Sequence, residues 1–225
     1  MLSVLVTGFE PFGGDAINSS LEAVKALAKA WDALTGAILH TAQLPVTFAG
    51  AAPALMRAIA ETKPDAVIAV GYAAGSSEIR LERVAVNVID ARIPDNAGSQ
   101  PVDEAVEPDG PTAYFSTLPI KRALARLGER KIPAIVSNSA GTYVCNAVFY
   151  ALQHALAGTA TCSGFVHVPA LGELAAPRSD VDAAREQRPL AGSAEGKEVV
   201  AGSEATDDAD ALAEALKEII EALLL

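Results

Sequence analysis

Short apolar runs alternate along this chain with segments whose apolar positions recur at helical spacing. Residues 3–7 read as a first strand, followed by a loop containing Gly and Pro. Leu21, Val24, Leu27, Ala28 and Trp31 predict a helix over 20–31. Residues 37–44 read as a second strand, 49–62 as an Ala-rich helix and 66–71 as a short buried strand. A single strand is predicted over 79–89, with Val84, Val86 and Val88 on one face. Further on, a helix opens at Pro119 and runs to about Gly128; residues 134–137 are a strand, 143–156 a helix and 164–168 a last strand. Residues 90–112 hold Pro94, Pro101, Pro108 and Pro111 with several glycines, and so read as a long irregular segment. Such segments in a compact domain often carry function.

This alternation predicts an α/β fold: a single-domain three-layer sandwich over 1–225, with a mainly parallel twisted sheet and helices on both faces. Residues 172–207 are polar and weakly patterned, a candidate mobile loop. Residues 208–225 form an expected C-terminal helix with acids at its start. No internal repeat is visible.

Composition narrows the field. With 51% hydrophobic and 20% charged residues, 225 residues bury a substantial core. A formal net charge of −11 repels phosphate backbones and anionic lipid, so neither nucleic acid nor a membrane is an expected partner. No basic segment with a long apolar stretch opens the chain, so no secretory leader is expected. No apolar run approaches the ~20 residues of a spanning helix. Two cysteines, Cys145 and Cys162, do not make a disulfide scaffold, and a reducing cytoplasm is the expected compartment.

Cys145 follows a turn-forming run, 137–141, and lies near the start of a helix. There the positive end of the helix favours the nucleophilic thiolate; a buried structural thiol is the alternative. Cys162 reads as structural. A thiol nucleophile needs a base, and the chain has three histidines. His40 reads as packing, and His154 as a helix-end or solvent-facing residue. His167 ends a short strand, where sites gather in parallel α/β sheets, and is the best base available. Glu82 interrupts an apolar strand and reads as a partly buried carboxylate: an orienter for the imidazole, or the partner of Arg80 or Arg83. Arg92, at the head of the Pro-rich segment, reads as an oxyanion stabiliser or as the partner of Asp90 or Asp95. The 8–14 loop lacks phosphate-loop spacing. Its Phe9 and Phe12 either line an apolar slot at the sheet edge or pack beneath the loop.

Five segments in order, GFEPFGG (8–14), ERVAVNVIDARIPDN (82–96), PTAYFSTLPIK (111–121), SNSAGTYVCN (137–146) and GFVHVP (164–169), resemble the pyroglutamyl peptidase I (pyrrolidone-carboxylate peptidase) family almost continuously from Val4 to Pro169. The resemblance implies a cysteine exopeptidase that removes an N-terminal pyroglutamyl residue from peptides through a thioester. It implies a triad of Cys145, His167 and Glu82, with the oxyanion held by the Cys145 N–H and Arg92. Phe9 and Phe12 would sandwich the lactam ring, with Asn18 as a polar contact. A homotetramer is implied, and no metal or organic cofactor. The chain departs from the family pattern at Ser19, where Pro is common, at Ser76 and Ser77, where Arg is common, and at Ala147, where a larger residue is common. The segment after Pro169 also departs. These departures touch affinity and assembly before chemistry.

Overall fold

The computed structural model describes residues 1–31, 36–174 and 203–224. Among the described residues, eight strands and five helices follow in the order β1(Leu2–Phe9), α1(Ser19–Ala30), β2(Ala37–Leu44), α2(Ala51–Thr62), β3(Ala66–Tyr72), β4(Ile79–Glu82), β5(Val84–Val86), β6(Ala113–Phe115), α3(Ile120–Glu129), β7(Ala134–Ser137), α4(Val144–Leu156), β8(Cys162–Val168) and α5(Ser203–Glu221). Six strands make the main sheet in the order β2-β1-β3-β8-β4-β7. β2, β1, β3 and β8 are mutually parallel. β4 runs antiparallel to β8, and β7 runs parallel to β4.

Both faces of the sheet are buried, so its central strands read as continuous apolar runs rather than alternating ones. Val4, Val6, Ile68, Val70, Ile79 and Leu81 face α1, α3 and α5. Leu5, Val67, Ala69 and Phe165 face α2 and α4. These are the three layers and the mainly parallel sheet that the pattern predicts.

Three elements differ from the sequence reading. The strand read over 79–89 is broken at Arg83: its N–H donates to Ser137 of the main sheet, while its C=O accepts from Ser116 beside the second ribbon. Val84–Val86 then pairs with Ala113–Phe115 in a separate two-stranded sheet. Across that break the buried face changes, so Ala85 is buried and Val84 and Val86 are only half-buried. β6 itself lies in a stretch with no strand signal, because its side chains are mostly exposed.

α5 begins at Ser203, within the stretch read as loop over 172–207; residues 175–202 lie outside those described. Among the described residues no helix is long and apolar enough to cross a membrane. The loop over 73–78 leaves β3, crosses the carboxyl end of β8 and enters β4. That crossing brings the ends of β1, β3 and β8 together with the start of β4.

Candidate active site

Cys145 is the second residue of α4, whose N-cap is Tyr143 without a side-chain cap. First-turn amides of a helix have no intrahelical acceptor, so the Cys145 N–H is available to a ligand. Its thiol lies over Gly71 of β3, the register partner of His167 on β8. His167 Nδ1 lies 2.9 Å from Glu82 Oε1, and the Cys145 thiol lies close enough to the imidazole to raise its pKa. With Nδ1 engaged by the carboxylate, Nε2 is the nitrogen that serves the sulfur. Beneath the imidazole sits the Phe165 ring, 4.9 Å away between centroids.

Glu82 is 1% exposed and His167 7%. Glu82 Oε2 has no hydrogen-bond partner among the described residues, so the imidazole is the carboxylate's polar contact. The alternative pairings are not made: Arg80 bonds Ser76 and Arg83 bonds Asn138. Burial, the largest single influence, lowers the His167 pKa; hydrogen bonds and charge from Cys145 and Glu82 overcome it and push the group up to about 9. The imidazolium is therefore the favoured form near neutrality, held between the Cys145 sulfur and the Glu82 side chain. Thiol, imidazole and buried carboxylate stand in one contact chain, an arrangement suited to acyl transfer.

The flanking loops are tied to this centre. Asp95 accepts from the backbone N–H groups of Phe48, Ala97 and Ser99, and these bonds outweigh burial and hold its carboxyl below the usual range. Asn96 donates to Glu10 and to the Pro11 carbonyl. Asn146, next to Cys145, accepts from the Val86 N–H and donates to the Val86 and Val88 carbonyls. Asp90 and Thr142 exchange hydrogen bonds, so the 90–96 strap lies against the loop that leads into α4.

The structure separates the two phenylalanines of the first loop. Phe9 is 2% exposed and packs on Phe165 in the core, on a strand that is interior rather than at the sheet edge. Phe12 is half-buried, 5.6 Å from Tyr143, which in turn meets Phe48 edge-on at 5.2 Å. Asn18 caps α1 by accepting from the Ser20 N–H and hydroxyl, and its amide donates to the Glu10 carbonyl. Arg92 is exposed and pairs with neither Asp90 nor Asp95. It stands on the strap, two residues past Asp90.

Sequence reasoning missed Gly71, Phe48 and Tyr143, whose roles are contacts between distant segments. Asn146 carried a readable signal, a polar residue in an apolar helix beside the thiol. Among the departures, Ser19 is the first residue of α1 and its hydroxyl accepts from the Leu171 N–H, a bond that proline cannot make. Ala147 is buried. Among the described residues no cluster of three His, Cys, Asp or Glu could hold a metal.

A family model described as pyroglutamyl peptidase matches residues 2–199. A pyrrolidone-carboxylate peptidase of Vibrio parahaemolyticus is 55% identical over 175 residues, covering 78% of this chain and 82% of the relative. That of Thermococcus onnurineus is 53% identical over 176 residues, covering 77% and 86%. Among solved structures, pyroglutamyl peptidase I of Bacillus amyloliquefaciens superposes with a TM-score of 0.80 at 36% identity, covering 100% of this chain and 96% of that one. A mutant pyrrolidone carboxyl peptidase of Pyrococcus furiosus superposes at 0.79 with 43% identity, covering 99% of both chains.

Proposed function

This chain belongs to the pyroglutamyl peptidase family, and from that premise we propose that it hydrolyses the bond after an N-terminal pyroglutamyl residue through a Cys145–His167–Glu82 triad. The observation that carries the reading is the contact chain from the thiol through the imidazole to the buried carboxylate.

The Cys145 thiolate attacks the carbonyl that joins pyroglutamate to the next residue, forming a C–S bond. Charge moves to the carbonyl oxygen, where the Cys145 N–H and the Arg92 guanidinium stabilise it. His167 gives its proton to the departing amine as the C–N bond breaks, leaving a thioester. Neutral His167 then takes a proton from water, which attacks the thioester and releases pyroglutamate. Glu82 keeps Nδ1–H fixed throughout and stabilises the imidazolium.

The lactam carries no ammonium, so its pocket needs apolar faces and a few hydrogen bonds rather than an acid. Phe12, with Tyr143 and Phe48 behind it, supplies such a face, and Phe9 closes the slot from the core side. Asn18 is the proposed polar contact, through the amide hydrogen that Glu10 leaves free. Proline lacks the lactam carbonyl and would leave polar groups unpaired.

A homotetramer belongs to this reading, supported by the exposed apolar side chains Ile93, Val102 and Phe115. So does a cytoplasmic setting, supported by two free cysteines. Acid-quenching a reaction with a pyroglutamyl thioester and mapping the peptides tests the mechanism. The expected result is a pyroglutamyl adduct on Cys145 and none on Cys162. An adduct confined to Cys162 would contradict it.

A further inference from the structure

We propose that Arg80, aimed by Ser76, is a specificity-determining residue that recognises a carboxylate on the departing part of the substrate. The proposal rests on the peptidase reading above and names a substrate class within it: pyroglutamyl peptides with a carboxylate close behind the scissile bond.

Neighbouring strands lay the parts out in a row. Phe9 ends β1, Gly71 lies on β3 beneath the Cys145 thiol, His167 is on β8 and Arg80 on β4, and the sheet order is β1-β3-β8-β4. All project to one face: Phe9 and Phe165 pack in the α2/α4 core, whereas Ile79 and Leu81, on either side of Arg80, pack in the opposite one. The aromatic slot thus stands at one end of the row and Arg80 at the other, with the reacting groups between. His167 delivers the proton to the departing amine, so the departing residue lies on the His167 side, away from the slot.

Arg80 is the register partner of His167 in the β4–β8 ladder. Two strand spacings, about 10 Å, separate β3 from β4. One extended residue covers about 3.5 Å of that span, and an arginine side chain reaches across the remainder.

The guanidinium is fixed from one edge. Arg80 Nε donates to Ser76 Oγ at 3.0 Å, and the Ser76 hydroxyl, itself buried, donates to the Glu78 carbonyl at 3.0 Å. Among the described residues the Arg80 Nη groups make no hydrogen bond and no ion pair. By contrast, Arg126 and Arg130 are spent on Glu218, and Arg83 on Asn138. A half-buried guanidinium, anchored by a buried hydroxyl and with its fork unused among the described residues, is pre-arranged for bidentate binding of a carboxylate. The molecule carries a net charge of −11, so an anionic substrate gains nothing from the overall field and its recognition has to be local. Ser76, a departure from the family pattern, thereby acquires a role as the residue that positions Arg80.

Two carboxylates have the right chemistry: the free α-carboxylate of a pyroglutamyl dipeptide, and an acidic side chain on the residue after pyroglutamate. The test compares kcat/KM for pyroglutamyl-alanine, its C-terminal amide and the α-amide of pyroglutamyl-aspartate, in wild type and Arg80→Gln. Wild type is expected to prefer at least one acid over the neutral amide by about tenfold, carried by KM. Preference for pyroglutamyl-alanine alone assigns the α-carboxylate, and preference for the aspartate amide assigns the side chain. In Arg80→Gln the ratio is expected to fall towards one, and in Ser76→Ala to fall part of the way. Equal kcat/KM for all three in wild type needs no variant and overturns the proposal, as does an undiminished preference in folded Arg80→Gln. Failure of all three to turn over would overturn the peptidase reading itself, and the proposal with it.

Discussion

Gly71 stands opposite His167 in the β3–β8 ladder, and a methyl group on it would meet the Cys145 Sγ at 3.0 Å and the Phe165 ring at 2.8 Å. The constraint is space rather than backbone conformation, because Gly71 is ordinary extended strand. Gly71→Ala is expected to push the thiol off the imidazole. Overpacking of this kind costs about 1–3 kcal/mol, and the larger effect is expected on kcat. Steady-state kinetics beside a thermal melt checks it: full activity would show that the thiol does not depend on that space.

Cys145 and Glu82 together set the expected basic limb of the pH–rate profile. Burial works to lower the His167 pKa, and the bonds to Cys145 and Glu82 reverse it to about 9, from an ordinary 6.5. Because the folded value lies above the unfolded one, the imidazolium's contribution is complete below 6.5 and is lost as pH rises through about 9. Activity that needs the His167 proton is expected to fall over the same upper range. Glu82→Gln removes the charge, moves that limb to lower pH and cuts kcat by about 10²–10⁴-fold. An unmoved limb would assign it to another group.

Asn146 ties α4 to the end of β5 and to Val88 through three backbone groups. Asn146→Ala removes the acceptor of the Val86 N–H and the donor to the Val88 carbonyl, while the Val86 carbonyl keeps the Val88 N–H, a loss of about 1–3 kcal/mol. Denaturant unfolding should show that loss, with kcat lowered more than KM rises, because the 90–96 strap that follows carries Arg92, the proposed oxyanion donor. Unchanged stability would mean that water replaces the amide at no cost.

Most of the fold was legible because the central strands β1, β3 and β8 are largely apolar runs buried on both faces, and the more exposed β2 and β7 still read as short strands. Ala37–Leu44 and Ala134–Ser137 coincide with the predicted spans. The break at Arg83 was not legible, because it arises from backbone bonds divided between two sheets, which no pattern within 79–89 encodes. β6 was hidden for a related reason: Phe115, its most apolar side chain, is 69% exposed. In the site, Cys145, His167 and Glu82 announced themselves as polar or reactive residues at the ends of apolar elements. Gly71 and Phe48 did not, since their roles exist only once β3 and the 45–50 loop are brought beside α4.

Alkylation separates the two thiols. Cys145 sits at a helix N-terminus against His167, whereas Cys162 donates to the Thr117 carbonyl. Iodoacetamide at neutral pH is expected to modify Cys145 at least about tenfold faster, with activity lost in step. Equal rates, or inactivation that tracks Cys162, would remove the basis for Cys145 as nucleophile.

The most direct measurement is the release of a fluorescent amine from a pyroglutamyl amide in reducing buffer, beside the prolyl amide and the Cys145→Ala variant. The account predicts turnover of the pyroglutamyl compound alone, reduced at least about 10³-fold in Cys145→Ala. Equal turnover of the prolyl amide, or activity that survives Cys145→Ala, would contradict it.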